Sequence, residues 1–407
     1  MNRLPRFLKI LIRAFVAIVA LVVLAIAVIW LNAPGRFALE GAEERAAAWK
    51  DGPRLRDLAD RAGVRFGSAV MVRDLEGDPA YGPVLAREFN SVTPFVDMKW
   101  GTIHPERERY DFERADQLVD FAEAHGMRVR GHTLVYGQVV DPPNPEYLSA
   151  LTNPGELRAL MEGHIRTVAG RYAGRVETWD VVNEPLVPFG DRSRGDGLAQ
   201  HVFSRVLGPG YIGEALRLAR QADPGAHLFL NEFGVLQPGP KQERYYRLVK
   251  ELREEGAPLD GVGFQGHVLP LLGNPDPTRE QIETTLRHFA ELGVQVEITE
   301  LNVFTRTARD VLTLGFGYDE AAALARQAKV YATVTQACLA VPECRGVTLW
   351  TFTDRYPTTV ETLTHLEDIP LIFDNDYRPK PAAFALRETL ARAAPRPGQT
   401  EPAAPEE

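Results

Sequence analysis

The sequence predicts an α/β fold, a closed (β/α)8 TIM barrel, with an N-terminal transmembrane signal anchor ahead of it. Three observations carry this reading. Eight short β-branched runs alternate with longer amphipathic stretches along the 407-residue chain, the pattern of a parallel barrel. Polar residues able to do chemistry gather at the C-terminal ends of those runs, the end where barrel active sites lie. An uncharged apolar run, residues 14–31, precedes them all.

The elements follow in order. Residues 1–13 carry Arg3, Arg6, Lys9 and Arg13 and no acid. Residues 14–31 hold no charge and no helix breaker. At about 1.5 Å per residue such a run approaches a ~30 Å hydrocarbon core. The preceding cations predict a cytoplasmic N-terminus and an exported body, with Trp30 at the interface. A cleaved signal peptide is the alternative, and the body is then secreted. Its small-residue site, Ala25-Ile26-Ala27, falls inside the apolar run, which speaks against cleavage. No Cys stands close behind the run, so a lipoprotein anchor is excluded. Residues 32–62 read as a connector with some helical pattern, and 63–392 as the barrel. Residues 393–407 are Pro- and Glu-rich without an apolar period, which predicts a disordered tail.

Candidate strands are RFGSAVMV (65–72), FNSVTPFV (89–96), RVRGHTLV (128–135), RVETWDVV (175–182), HLFLNEF (227–233), GVGFQGHV (261–268), VQVEITEL (294–301) and GVTLWTFT (346–353). Helical patterns lie between them, as at 113–126, 155–174 and 319–339. Several end at Gly just before the next strand, which is ordinary C-cap chemistry. A doubly wound open sheet is the alternative, weakened by the lack of a GxGxxG turn after the first run.

Composition narrows the function. Apolar residues make up 45% and charged residues 25%, so a wholly disordered chain is excluded. The net charge is −9 although the first 13 residues are basic. The acidic body argues against broad contact with nucleic acid. Two cysteines exclude a disulfide scaffold and a multi-Cys zinc site. The P-loop, HExxH and GxSxG patterns do not occur. His104, His125 and His132 are irregularly spaced.

The polar strand ends are more informative. His132 closes the third run, Asn183-Glu184 the fourth, Asn231-Glu232 the fifth, Gln265 and His267 the sixth, and Glu300 the seventh. Lys99 follows the second, and Trp350 lies in the eighth. A single carboxylate at a strand end is ordinarily solvated or salt-bridged. So many polar ends converging on one mouth point instead to a site. Glu184 and Glu300 leave strands that face each other across that mouth. Retaining glycoside hydrolysis needs two such carboxylates roughly 5–5.5 Å apart, one an acid and one a nucleophile. Asp180 is expected to raise the acid's pKa by like-charge repulsion. Asn183 is expected to hold a sugar 2-OH.

These residues carry a family resemblance. FNSVTP…MKW (89–100), RGHTLV (130–135), WDVVNEP (179–185), ITEL (298–301) and PLIFDNDYRPKPAAFAL (370–386) resemble, in order and spacing, the motifs of the glycoside hydrolase family 10 endo-1,4-β-xylanases. The similarity runs from about Phe66 to about Leu386. It implies Glu184 as acid/base and Glu300 as nucleophile. It implies that Lys99, His132, Asn183, Gln265 and Trp350 bind the sugar under attack, in subsite −1. His267 would hydrogen-bond the nucleophile. No cofactor and no metal are implied. A disulfide between Cys338 and Cys344 is implied as well, where the residues alone allow two buried thiols; an exported body permits oxidation.

The sequence also departs from the family. After Thr93-Pro94 the family has Glu-Asn, which hold the next sugar, in subsite −2; here stand Phe95 and Val96. Tyr136-Gly137 replace Trp-His, and a lidding Trp would fall near Thr358. Glu232 replaces an Asp, and Asn302 the Asp that orients His267. The His267 imidazole is then expected to be less basic and its tautomer less firmly set. The expectation is a retaining hydrolase of β-1,4 linkages in xylan or a related cell-wall polysaccharide, with altered specificity and a monomer by default. The alternative is a membrane-anchored carbohydrate-binding barrel with weak or no catalysis.

Overall fold

The computed structural model describes residues 42–137, 143–187, 197–270, 275–313, 317–356 and 368–396. The apolar run 14–31, the basic segment before it and Thr358 lie outside the described residues. No helix among the described residues is long and apolar enough to cross a membrane.

The strands are β1 (Arg65–Val70), β2 (Ser91–Pro94), β3 (Arg128–Tyr136), β4 (Thr178–Asn183), β5 (His227–Glu232), β6 (Gly261–Phe264), β7 (His267–Val268), β8 (Gln295–Val303) and β9 (Cys344–Leu349). Every pairing between them is parallel, and β6 also pairs with β8. The sheet therefore closes as β1-β2-β3-β4-β5-β6-β8-β9 and back to β1. The sequence expectation of an eight-strand barrel holds. Each expected run overlaps a barrel strand.

The sixth run differs in detail. It breaks between β6 and β7, because Gly266 takes φ 84°, a conformation that suits a residue without a Cβ. The break frees the Gln265 carbonyl to accept from the Glu300 N–H at 2.8 Å. It also lets β7 pair with the end of β8, His267 opposite Asn302.

Helices cover the barrel and bury a continuous apolar layer between themselves and the strands. The Asn153 side chain caps Pro154–Arg171, accepting from Gly155 N at 2.9 Å. Thr278 and Gln281 form a capping box at the start of Arg279–Ala290. The 113–126 and 319–339 patterns become helices Glu113–Ala124 and Glu320–Leu339.

The described part of the connector packs on the base of the barrel, the end opposite the mouth. Trp49 donates to Glu88 Oε1 at 3.0 Å, just ahead of β2. Its indole meets Phe373 and Phe384 edge-on, under the Arg387 guanidinium. Arg56 donates to the carbonyls of His125 and Gly126, just ahead of β3. At the other end of the chain, Cys338 and Cys344 are disulfide-bonded. The closed loop is short, so the bond stabilises by about 2 kcal/mol. Arg396 donates to the carbonyls of Val341 and Pro342 inside that loop, at 3.1 and 3.2 Å. The expected tail is thus ordered through Arg396, because that guanidinium satisfies loop carbonyls. Residues 397–407 lie outside the described residues.

Candidate active site

The mouth is built from strand ends that share hydrogen bonds. β4 stops at Asn183, and Glu184 turns out of the strand with φ 51°. A residue with a Cβ holds that conformation only when its surroundings fix it. Here the Glu184 N–H donates to the Asn231 carbonyl at 2.8 Å. Its carboxylate accepts from Gln265 Nε2 at Oε1 and from the Tyr136 hydroxyl at Oε2, both at 2.9 Å.

Glu300 lies within β8 and is 4% exposed. Its Oε1 accepts from Asn231 Nδ2 at 2.7 Å, and its Oε2 lies 3.1 Å from His267 Nε2. Asn231 and Gln265 therefore hold both acids: each gives one backbone carbonyl to one residue and one side-chain amide to the other. Asn231 Nδ2 also donates to Asn183 Oδ1 at 2.9 Å, and the Thr299 hydroxyl donates to Asn231 Oδ1 at 2.6 Å. Gly263 on β6 makes room for this cluster, since a Cβ there would collide with the Asn231 amide.

His267 bridges β7 and β8. Its Nδ1 lies 2.9 Å from Asn302 Oδ1 while Nε2 faces Glu300. With an oxygen at each ring nitrogen, both contacts are satisfied together by the imidazolium. Burial works against that charge, but the hydrogen bond and charge of Glu300 outweigh it and hold the His267 pKa above its ordinary value. Asn302 lies at hydrogen-bond distance from Nδ1 and orients the ring.

Asp180 plays a different part from the one its spacing suggested. It pairs with Arg130 through both oxygens and accepts at Oδ2, 3.0 Å from His132 Nδ1. Burial opposes the charge, yet Arg130 and His132 hold its pKa below the usual carboxylate range. Its charge is spent on these two partners, and it orients His132 instead of standing as a lone charge beside the acid. Arg130 also donates to Glu297 at 2.6 Å, and Glu297 pairs with Arg65. A buried ionic layer thus crosses the barrel beneath the mouth.

The remaining expected residues stand around the same opening. Lys99 is 8% exposed, its Nζ 5.6 Å from the Phe95 ring centre and 5.9 Å from that of Tyr136. Trp350, one residue beyond β9, meets His132 and His267 edge-on at 5.5 and 6.3 Å. Glu232 is wholly buried and accepts from Leu186 N, Phe233 N and Lys241 Nζ at 2.8–3.0 Å. Burial pushes its pKa up to about 7, against the pull of Lys241 and with the nearby Glu184 charge adding to the rise. Its bond to Leu186 N fixes the segment just after Glu184. Gly137 stands where any side chain would run into the His201 ring.

Sequence reasoning singled out neither Asn231 nor Tyr136 as a site residue. Asn231 was visible only as a polar residue ending β5. Tyr136 was visible only as a family departure. Burial raises the Tyr136 pKa, with the Glu184 charge adding to it, so its hydroxyl stays protonated as a donor.

A closed (β/α)8 barrel that gathers two carboxylates, one after β4 and one in β8, into one hydrogen-bonded mouth has the layout of the barrel glycoside hydrolases. The chain belongs to glycosyl hydrolase family 10, whose sequence model matches residues 54–389. It is 37% identical over 339 residues to endo-1,4-beta-xylanase B of Thermotoga neapolitana, covering 83% of this chain and 91% of the relative. The solved structure of native xylanase 10B from Thermotoga maritima superposes with a TM-score of 0.74 at 35% identity, covering 83% of this chain and 98% of that one. Xylanase 10B from Thermotoga petrophila RKU-1 in complex with xylobiose gives a TM-score of 0.75 at 34% identity, with 84% and 98% covered.

Proposed function

We propose that this protein is a retaining endo-1,4-β-xylanase-type glycoside hydrolase acting on xylan or a related β-1,4-linked polysaccharide. Glu184 is the acid/base and Glu300 the nucleophile. The observation that carries this reading is the shared suspension of both carboxylates on Asn231 and Gln265. It ties an acid just after β4 to a nucleophile in β8 through direct hydrogen bonds.

The steps follow from this geometry. Glu184 gives its proton to the glycosidic oxygen as the bond to the anomeric carbon breaks. Glu300 attacks that carbon from the opposite face and forms a glycosyl ester. Asn231 and His267 fix both Glu300 oxygens, so the nucleophile is oriented before substrate arrives. Water then attacks the anomeric carbon and displaces the Glu300 carboxylate, while Glu184, now a base, takes the water's proton. Two inversions give net retention. Lys99, His132, Asn183, Gln265 and Trp350 surround the sugar under attack, and Asp180 orients His132 for that contact. Apolar Phe95 and Val96 give the neighbouring subsite a specificity unlike that of a plain xylan cleft.

The run 14–31 anchors the barrel to a membrane, with the barrel outside the cytoplasm. Its composition and the basic segment before it support this.

Proton NMR of freshly hydrolysed xylo-oligosaccharides tests the catalytic reading. The β-anomer of the new reducing end is expected first, before mutarotation. First appearance of the α-anomer contradicts the assignment, as does a panel of xylans, glucuronoxylan and mixed-linkage glucan that all stay intact.

A further inference from the structure

The leaving oxygen lies beside the acid, Glu184, on β4. The sugar under attack lies over Glu300. Any sugar attached to its non-reducing side therefore points away from Glu184, toward the wall made by β9, β1 and β2. Among the described residues that wall is largely apolar, with Lys99 at its edge. Ala69 of β1, Phe95 after β2 and Trp350 after β9 form a buried cluster of their own, with half-buried Met71 and Val96 packed against it.

Phe95 is central to this wall. Its ring lies 4.6 Å from that of Trp350, with the planes 33° apart, and it is only 4% exposed. It fills the space beside Trp350. Its backbone is fixed as well: Phe95 N–H donates to the Val70 carbonyl at 2.8 Å, and Asp97 accepts from Val72 N at 3.0 Å. A sugar hydroxyl brought against Phe95, Val96 and Met71 gives up water and meets carbon. A hydroxyl left without a hydrogen-bond partner loses its hydration with nothing in return, which cancels the favourable contact of a second sugar.

We infer that Phe95 ends glycone recognition at the sugar under attack, so that a second sugar on that side adds no useful binding and substrates are held chiefly through the attacked sugar and the leaving-group side. Short β-1,4-xylo-oligosaccharides and xylosides with a single glycone sugar are then cleaved nearly as well as substrates with a longer glycone side. This inference rests on the hydrolase reading above.

The test compares kcat/KM for 4-nitrophenyl β-xyloside and 4-nitrophenyl β-xylobioside, which differ by one glycone sugar. The wild type is expected to favour the xylobioside by less than about tenfold, whereas a glycone site with matched hydroxyl contacts gains far more. Phe95→Glu places a carboxylate near Lys99, which offsets its charge. In that variant the xylobioside-to-xyloside ratio is expected to rise at least about fivefold, with the gain in KM for the xylobioside. Phe95→Ala, which opens space without a polar partner, is expected to raise the ratio less. A wild-type preference for the xylobioside of tenfold or more overturns the inference, even if no variant folds. An unchanged ratio in a folded Phe95→Glu protein overturns it too. Turnover of both glycosides no faster than with Glu300→Ala overturns the hydrolase reading itself, and this inference with it.

Discussion

The two walls of the barrel mouth are made of different materials. On one side, β4 to β8 contribute Asn183, Glu184, Asn231, Gln265, His267 and Glu300, almost every polar atom of which meets another. On the other, β9, β1 and β2 contribute Trp350, Ala69 and Phe95, which meet ring to ring. Lys99 and His132 stand at the seam. Bond cleavage needs charges held at fixed positions, and the polar wall supplies them. Recognition of a neighbouring sugar needs hydroxyl partners, and under the proposed reading the apolar side chains of Ala69, Phe95 and Trp350 offer none. The contrast teaches that the polar and apolar parts of the mouth draw on different strands, so that, under the proposed reading, catalysis and chain recognition can be altered separately.

If the contrast holds, damage to the polar wall lowers rate whatever the substrate, while change in the apolar wall moves preference between substrates. Glu300→Ala is expected to lower kcat on xylo-oligosaccharides by about 10⁴-fold or more. Glu184→Gln is expected to cost roughly 10²–10⁴-fold on the same substrates, and much less on an aryl xyloside whose leaving group needs little protonation. Equal losses on both substrate types would remove Glu184 from the acid role. Tyr136→Phe removes one donor to Glu184 and is expected to lower kcat/KM by about tenfold, the worth of one charge-assisted hydrogen bond. An unchanged value would place Tyr136 outside the catalytic wall.

The smallest effect is on stability. The His267 pKa is raised in the folded protein above its ordinary 6.5. The charged pairing with Glu300 is thus present in full below about pH 6.5 and lost as pH rises through the raised value. The melting-temperature advantage of wild type over His267→Gln is expected to narrow as pH climbs from 6.5 upward. An advantage that widens over that window would mean that the ring is neutral in the fold.

The barrel was legible because β-branched runs and helical periods repeat, and each expected run overlaps a strand of the closed sheet. The two carboxylates were legible because strand ends converge in a barrel. What local pattern does not carry is who holds whom. Arg130 and Glu297 are 167 residues apart in sequence, so neither announced the ionic layer that neutralises Asp180. Spacing placed Asp180 four residues before Glu184 and suggested repulsion, whereas strand register set His132 opposite Asp180. The break at Gly266 was hidden inside an apolar run, yet it is what turns the Gln265 carbonyl to Glu300. Asn231 looked like one more polar strand end until the closed sheet put Asn183 on one side of it and Gly263 on the other.

The most direct measurement is covalent capture of the nucleophile. A 2-deoxy-2-fluoro β-xyloside with an activated leaving group slows ester breakdown more than ester formation. Peptide mass spectrometry of the treated protein is expected to find one fluoroxylosyl group, on Glu300, with capture abolished in Glu300→Ala. A label on any other residue, or full activity with no ester formed, would contradict the account.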